Sequence, residues 1–224
     1  MLIVFLALTV RGHYGILDIG AEMSKRVSRA DIDYWQDYGI HIPTRTLYMG
    51  SEDTFDEGES GTDAKMAERV IKNLHALDFA SDAPITIIMN NLGGDVFHGM
   101  AIYDAIHKCR SHVTIKATGY VMSMGSIILQ AADERILTPF AVCMVHHGYD
   151  SHDDHVKTVR NWIEFSKKYD KFLAEIYLNK IREKHPDYSM KKLDKLLDFD
   201  TILTAQEAVD LGLADSLNEE ESPS

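Results

Sequence analysis

The chain has 224 residues, 45% of them hydrophobic and 26% charged, a mix that builds one sizeable core and excludes disordered, collagen-like and disulfide-stapled classes. Its 23 Lys and Arg against 35 Asp and Glu leave a formal charge of −12, which repels phosphate backbones and argues against nucleic acid or an anionic membrane as partner. The two cysteines, Cys109 and Cys143, lie in apolar runs with no Cys-x-x-Cys spacing, so they read as buried thiols of a reducing compartment and not as a zinc or redox site.

Residues 1–10 are almost wholly apolar, yet they lack the basic start and cleavage site of a signal peptide and fall short of the roughly 20 residues that span a bilayer. A strand or a packing arm is the better reading. We divide the chain into a variable N-terminal arm (1–44), one domain (45–217) and an acidic tail (218–224). Inside the domain, residues 50–61 form an acidic Gly/Ser-rich loop. Thr62 then caps a helix carrying Met66, Val70, Leu74 and Leu77 at helical spacing. Ile85 to Met89 is a buried strand, followed by Gly93-Gly94 and a helix over Val96–Cys109. Val113–Ala117 is a strand, Gly119 a turn, and Ser123–Ala132 a helix. Arg135–Thr138 and Ala141–His146 are strands, and a polar loop runs to His155. Val156–Ile181 is a long helix with an apolar stripe through Val159, Trp162, Ile163, Phe172, Leu173, Ile176 and Tyr177, stopped by Pro186. Thr204–Leu211 has a capping box with Glu207 and a Gly212 stop. This order predicts an α/β fold with right-handed crossovers and a largely parallel sheet, whose ligands gather where strands give way to helices.

Two such junctions carry the chemistry. Ser123 in Gly-Tyr-Val-Met-Ser-Met-Gly-Ser can be a helix cap, or a nucleophile with the Met124 amide as oxyanion donor. Gly93-Gly94 can be a plain turn, or a backbone stripped of side chains so that a substrate approaches and its N–H groups supply the second donor. His146 and His147 end an apolar strand, where a half-exposed base would sit. Asp198 and Asp200, just before the capping-box helix, can orient an imidazole. The loop histidines His147, His152 and His155 lack metal-ligand spacing, so no metal site is expected.

Together, Gly-x-x-x-Ser-Met-Gly, a Met-x-His strand end, the Gly99–Asp104 helix motif and Asp200 followed by the Thr-Ala-x-Glu-Ala run resemble the proteolytic subunits of the Clp protease family, over residues 45–217. The Gly-Gly-Asp-Val-Phe wording is closer to phage-type members. The resemblance implies a ClpP/crotonase-like fold, with a largely parallel sheet of repeated β-β-α units and a long protruding helix. It implies Ser123 as nucleophile, His146 as general base, Asp200 as orienting acid, and the Gly93 and Met124 amides as the oxyanion hole. It further implies a cytoplasmic serine endopeptidase with no cofactor, assembled as two stacked heptameric rings. Its substrates would be unfolded proteins or peptides delivered by an AAA+ unfoldase such as ClpX or ClpA, and ATP would be used only by that partner. Leu92 replaces the family's usual Pro, Met122 its usual Ala, and Phe199 the Arg that joins stacked rings; the acidic loop is an insertion that bears on unfoldase docking. Alternative readings are an inactive structural ring subunit, a phage head-maturation protease, and a crotonase-type acyl-CoA enzyme. The filled triad positions argue against the first, and the Ser-Met-Gly and Met-x-His pieces against the last.

Overall fold

A computed structural model describes residues 28–50, 61–149 and 154–218. The apolar stretch 1–10, most of the acidic loop, the middle of the His-rich loop and all but the first residue of the tail lie outside them. Among the described residues no helix is long and apolar enough to cross a membrane.

Helix α1 (Arg29–Tyr38) starts at a capping box between Ser28 and Asp31 and stops at Gly39, whose left-handed φ of 63° a side chain would strain. It delivers β1 (Ile40–His41), antiparallel to β2 (Thr46–Gly50). From there the sheet is parallel: β2 pairs β3 (Ile85–Asn91), and β3 pairs β4 (Val113–Met122). Helix α2 (Ala64–Ala80) and helix α3 (Val96–His107) are the crossovers. Met66, Val70, Leu74 and Leu77 are buried as their spacing predicts. The α2 cap is Asp63 and not Thr62, because Thr62 is drawn into a parallel bridge with Gly94.

Strand β4 runs five residues past its predicted end and changes partner. Thr114–Ala117 pairs β5 (Glu134–Leu137), whereas Tyr120–Met122 pairs β6 (Val142–Val145). Gly119 lies at the switch with φ 60°, and a Cβ there would meet Asn90 Oδ1 at 2.7 Å. The strand order thus forks where β4 ends, the kind of switch point where parallel sheets open a crevice. Helix α4 (Met124–Leu129) leaves from that point.

The remaining elements close the sheet. Helix α5 (Val156–Lys184) buries only its second half, through Ala174, Ile176, Tyr177, Leu178 and Ile181. Trp162, Ile163 and Phe165 of its first half, and Phe172 just past the middle, stay exposed, so the long apolar stripe outruns the core of its own chain. Helix α6 (Met190–Leu197) and β7 (Thr201–Thr204) follow, then α7 (Ala205–Leu211) and β8 (Ser216–Leu217), which pairs β5. Strand β7 pairs β6 antiparallel, with Val145 opposite Thr201. Both cysteines are free thiols, and burial pushes Cys109 up to about 11 and Cys143 to about 12, which keeps them unreactive.

A buried arginine ties the α4 side of the sheet to its far edge. Arg135, 3% exposed, donates through Nη2 to Asp215 Oδ1 (2.5 Å), through Nε to Asp215 Oδ2 (3.1 Å), and through Nη1 to Gln130 Oε1 (2.6 Å) and the Gly212 carbonyl (3.1 Å). Burial pushes the Asp215 carboxyl up, but the Arg135 bonds outweigh it and hold the group below its ordinary value. Its contribution is therefore present above that ordinary value and is lost as the pH falls through the folded one. Asp215→Ala strands a buried guanidinium, leaving it Glu183 at 4.0 Å as its carboxylate partner among the described residues. It is expected to cost about 3 kcal/mol of stability, read as a lower urea midpoint at unchanged slope.

Candidate active site

The residues that the fork of the sheet brings together are Ser123, His146 and Asp200. Ser123 follows β4 and precedes α4, but its side chain makes no capping bond. Its backbone has φ 49° and ψ −122°, a strained conformation for a residue with a side chain. The strain is held by bonds on both sides: the Ser123 N–H donates to the Met144 carbonyl (2.9 Å), and the Ser123 carbonyl accepts from the N–H of Ser126 (3.0 Å). The effect is to aim Oγ away from the helix and at the imidazole. Ser123 Oγ lies 2.7 Å from His146 Nε2, and His146 Nδ1 lies 2.9 Å from Asp200 Oδ1. A carboxylate only accepts, so Nδ1 carries the proton in the neutral ring and Nε2 is left to accept from the serine hydroxyl.

Register explains the His–Asp half. His146 directly follows β6 and Asp200 directly precedes β7, and the Val145–Thr201 pairing of those strands puts the two side chains at the same end of the ladder. The imidazole is largely buried, with Tyr149 edge-on at 5.5 Å, while Asp200 is half exposed. Asp198 caps α6 instead, and His147, whose N–H donates to the Leu197 carbonyl, lines the cleft beside His146 outside the Ser123–His146–Asp200 chain.

Glycines let the backbone close around Ser123. A Cβ on Gly93 would fall 2.6 Å from Ser123 Cβ and 3.2 Å from the Met124 N. One on Gly125 would meet the Asn91 carbonyl at 2.7 Å. As the first residue of α4, Met124 has an N–H with no intrahelical acceptor. The Gly93 N–H, expected as the second oxyanion donor, instead donates to Asn91 Oδ1 at 2.7 Å. The next amide is differently placed. The Gly93 carbonyl accepts from the Thr62 N–H at 2.6 Å, and in a trans peptide the Gly94 N–H points the opposite way, off the Thr62 side of the strand. A small cleft of about 40 Å³ opens beside Ser123 and His146, walled by Val96, Ile127, Leu173 and Leu197.

A second set of residues was not anticipated from sequence. The Ser126 hydroxyl donates to the Ser123 carbonyl at 2.7 Å, and the Tyr177 hydroxyl lies 2.5 Å from Ser126 Oγ. Burial pushes the Tyr177 phenol above its usual value and keeps it a donor. The buried half of α5 thereby braces the strained serine through one bridging hydroxyl. Tyr177→Phe is expected to cost about 1–2 kcal/mol in chemical denaturation and to lower peptide turnover several-fold, since the brace loses its buried donor.

A parallel sheet that presents a Ser–His–Asp hydrogen-bonded chain at a switch point, beside an apolar cleft, has the parts of a hydrolase. The Clp protease family model matches residues 57–221, and the chain belongs to the Clp protease family. It is a peptidase of the proteolytic-subunit type. It is 28% identical over 183 residues to the ATP-dependent Clp protease proteolytic subunit of Deinococcus radiodurans, covering 80% of this chain and 83% of that protein.

Proposed function

We propose that the chain is a serine endopeptidase whose triad is Ser123, His146 and Asp200. The observation that carries this is the unbroken Oγ···Nε2 and Nδ1···Oδ1 pair, at 2.7 and 2.9 Å. Ser123 Oγ attacks the scissile carbonyl carbon while its proton passes to His146 Nε2. Asp200 keeps the Nδ1 proton in place and stabilises the imidazolium. His146 then protonates the leaving amine as the C–N bond breaks. A water gives its proton to the same nitrogen, attacks the acyl-enzyme, and returns the hydroxyl to Ser123. The oxyanion of each tetrahedral state is held by the Met124 N–H and by the glycine pair. With the Gly93 N–H engaged by Asn91, the Gly94 N–H is the donor we assign. No metal or cofactor enters any step as written.

The substrates are unfolded polypeptides cut inside a homo-oligomeric ring chamber, with ATP spent by a partner AAA+ unfoldase. The family match and the exposed apolar side chains along α5 support a ring of copies. Two free thiols fit a cytoplasmic setting. In sizing experiments the purified chain is expected to run as an oligomer. It should cleave short fluorogenic peptides unaided, and degrade a folded protein only when an unfoldase and ATP are added. An assembled ring inert to every short peptide would overturn the reading.

A further inference from the structure

We propose that Asn91 and Thr62 are positioning residues that lock the Gly93–Gly94 peptide in the orientation required for oxyanion binding; the inference rests on the endopeptidase reading above. Gly93 and Gly94 adopt φ of 105° and 139°, conformations with no side-chain restraint, and a peptide between two glycines rotates at little cost. Rotated by half a turn, it would aim the Gly93 carbonyl, and not the Gly94 N–H, at the reacting oxygen. Something outside the glycines must therefore fix the plane.

The clamp is built from both ends of that segment. Upstream, Asn91 Oδ1 accepts the Gly93 N–H at 2.7 Å, which fixes the Leu92–Gly93 peptide on which the next plane turns. Downstream, the Thr62 N–H donates to the Gly93 carbonyl at 2.6 Å and the Thr62 carbonyl accepts from the Asp95 N–H at 2.8 Å, so Thr62 straddles Gly94. The two clamping residues also hold each other: Asn91 Nδ2 donates to Thr62 Oγ1 at 2.9 Å, and that hydroxyl lies 3.1 Å from Asn91 Oδ1. Asn91 is 0% exposed and Thr62 1%, so water cannot replace either bond. Asn91 closes its bond to the N–H two residues on, the local reach for which its short amide is suited and which a serine hydroxyl makes more weakly. The loop also packs against the nucleophile, as the forbidden Gly93 Cβ position beside Ser123 shows.

The test uses the full chain carrying Asn91→Ala or Asn91→Ser, assayed on a short fluorogenic peptide and with a peptide aldehyde, whose hemiacetal oxygen occupies the oxyanion hole. Asn91→Ala is expected to lower kcat about tenfold to a hundredfold with KM within about twofold, a fraction of the loss from deleting an oxyanion donor outright. The aldehyde should weaken by a similar factor, and Asn91→Ser should recover most of both because it restores an acceptor for the Gly93 N–H. Unchanged kcat in Asn91→Ala overturns the proposal. So does an equal loss in the alanine and serine variants, or a loss confined to KM, each of which signals packing damage. Should Asn91→Ala not fold, the folded serine variant decides: near wild-type kcat and aldehyde affinity support the clamp, and loss of both overturns it. A wild-type chain that neither cleaves peptide nor binds the aldehyde overturns the endopeptidase reading and the clamp with it.

Discussion

Ser123→Ala is expected to abolish peptide hydrolysis, with kcat falling by a factor on the order of 10⁶ and KM little changed. The size follows from the role proposed for Oγ, the atom that would bond to the substrate, for which no neighbouring side chain among the described residues stands in. Ser126 is the nearest serine in sequence, but it is buried and committed to the Ser123 carbonyl and Tyr177. Alanine also leaves the strained backbone with the same carbonyl and N–H partners, so assembly and thermal stability should survive. Active-site titration beside a sizing run checks both halves. Residual turnover above about a thousandth of wild type would mean that another group is the nucleophile.

Asp200→Asn should be the next largest loss, about 10³- to 10⁴-fold in kcat. The amide keeps the shape, but it can present its NH₂ to Nδ1, which flips the imidazole to the tautomer with Nε2 protonated. That nitrogen then cannot take the Ser123 proton. The half exposure of Asp200 puts the loss at the lower end, because water can still solvate the imidazolium. A pH–rate profile of the variant checks the assignment: activity should recover partly at alkaline pH, where hydroxide removes the need for the correct tautomer. A loss under tenfold at neutral pH would remove Asp200 from the triad.

The parts of the fold that a sequence makes plain are those governed by local period. Met66, Val70, Leu74 and Leu77 announce α2, the β-branched run at Ile85 announces β3, and Thr204 with Glu207 announces α7; all three are found. Elements that owe their existence to a distant partner were not legible. Strand β7 is four residues long and forms because β6 offers an antiparallel edge, yet it is what carries Asp200 to His146. The short β1 and β2 and the helices α1 and α6 were likewise unmarked, although Leu193 and Leu197 of α6 are buried. Glycine usually punctuates, so Gly119 reads as a turn in the sequence; in the structure it lets one strand bend and change partner.

The site divides in the same way. Ser123, His146 and Asp200 could be named because each stands at an element's end in a recognisable motif, and the structure brings the three within hydrogen-bond reach. The amide geometry of the glycine pair could not be named, since its hydrogen bonds go to Asn91 and Thr62, the latter 29 residues before Asn91. Polar residues buried at strand ends carry no period and no motif. Tyr177 illustrates the same limit: on the helical stripe it reads as one more apolar position, while its hydroxyl reaches a serine 51 residues away.

The most direct test of the central claim is intact-mass analysis after reaction with a fluorophosphonate, which bonds only to a serine activated by a neighbouring base. One adduct per chain is expected, mapping to Ser123 and absent from Ser123→Ala and from His146→Ala. An assembled ring that takes no adduct, or an adduct that persists in Ser123→Ala, would contradict it.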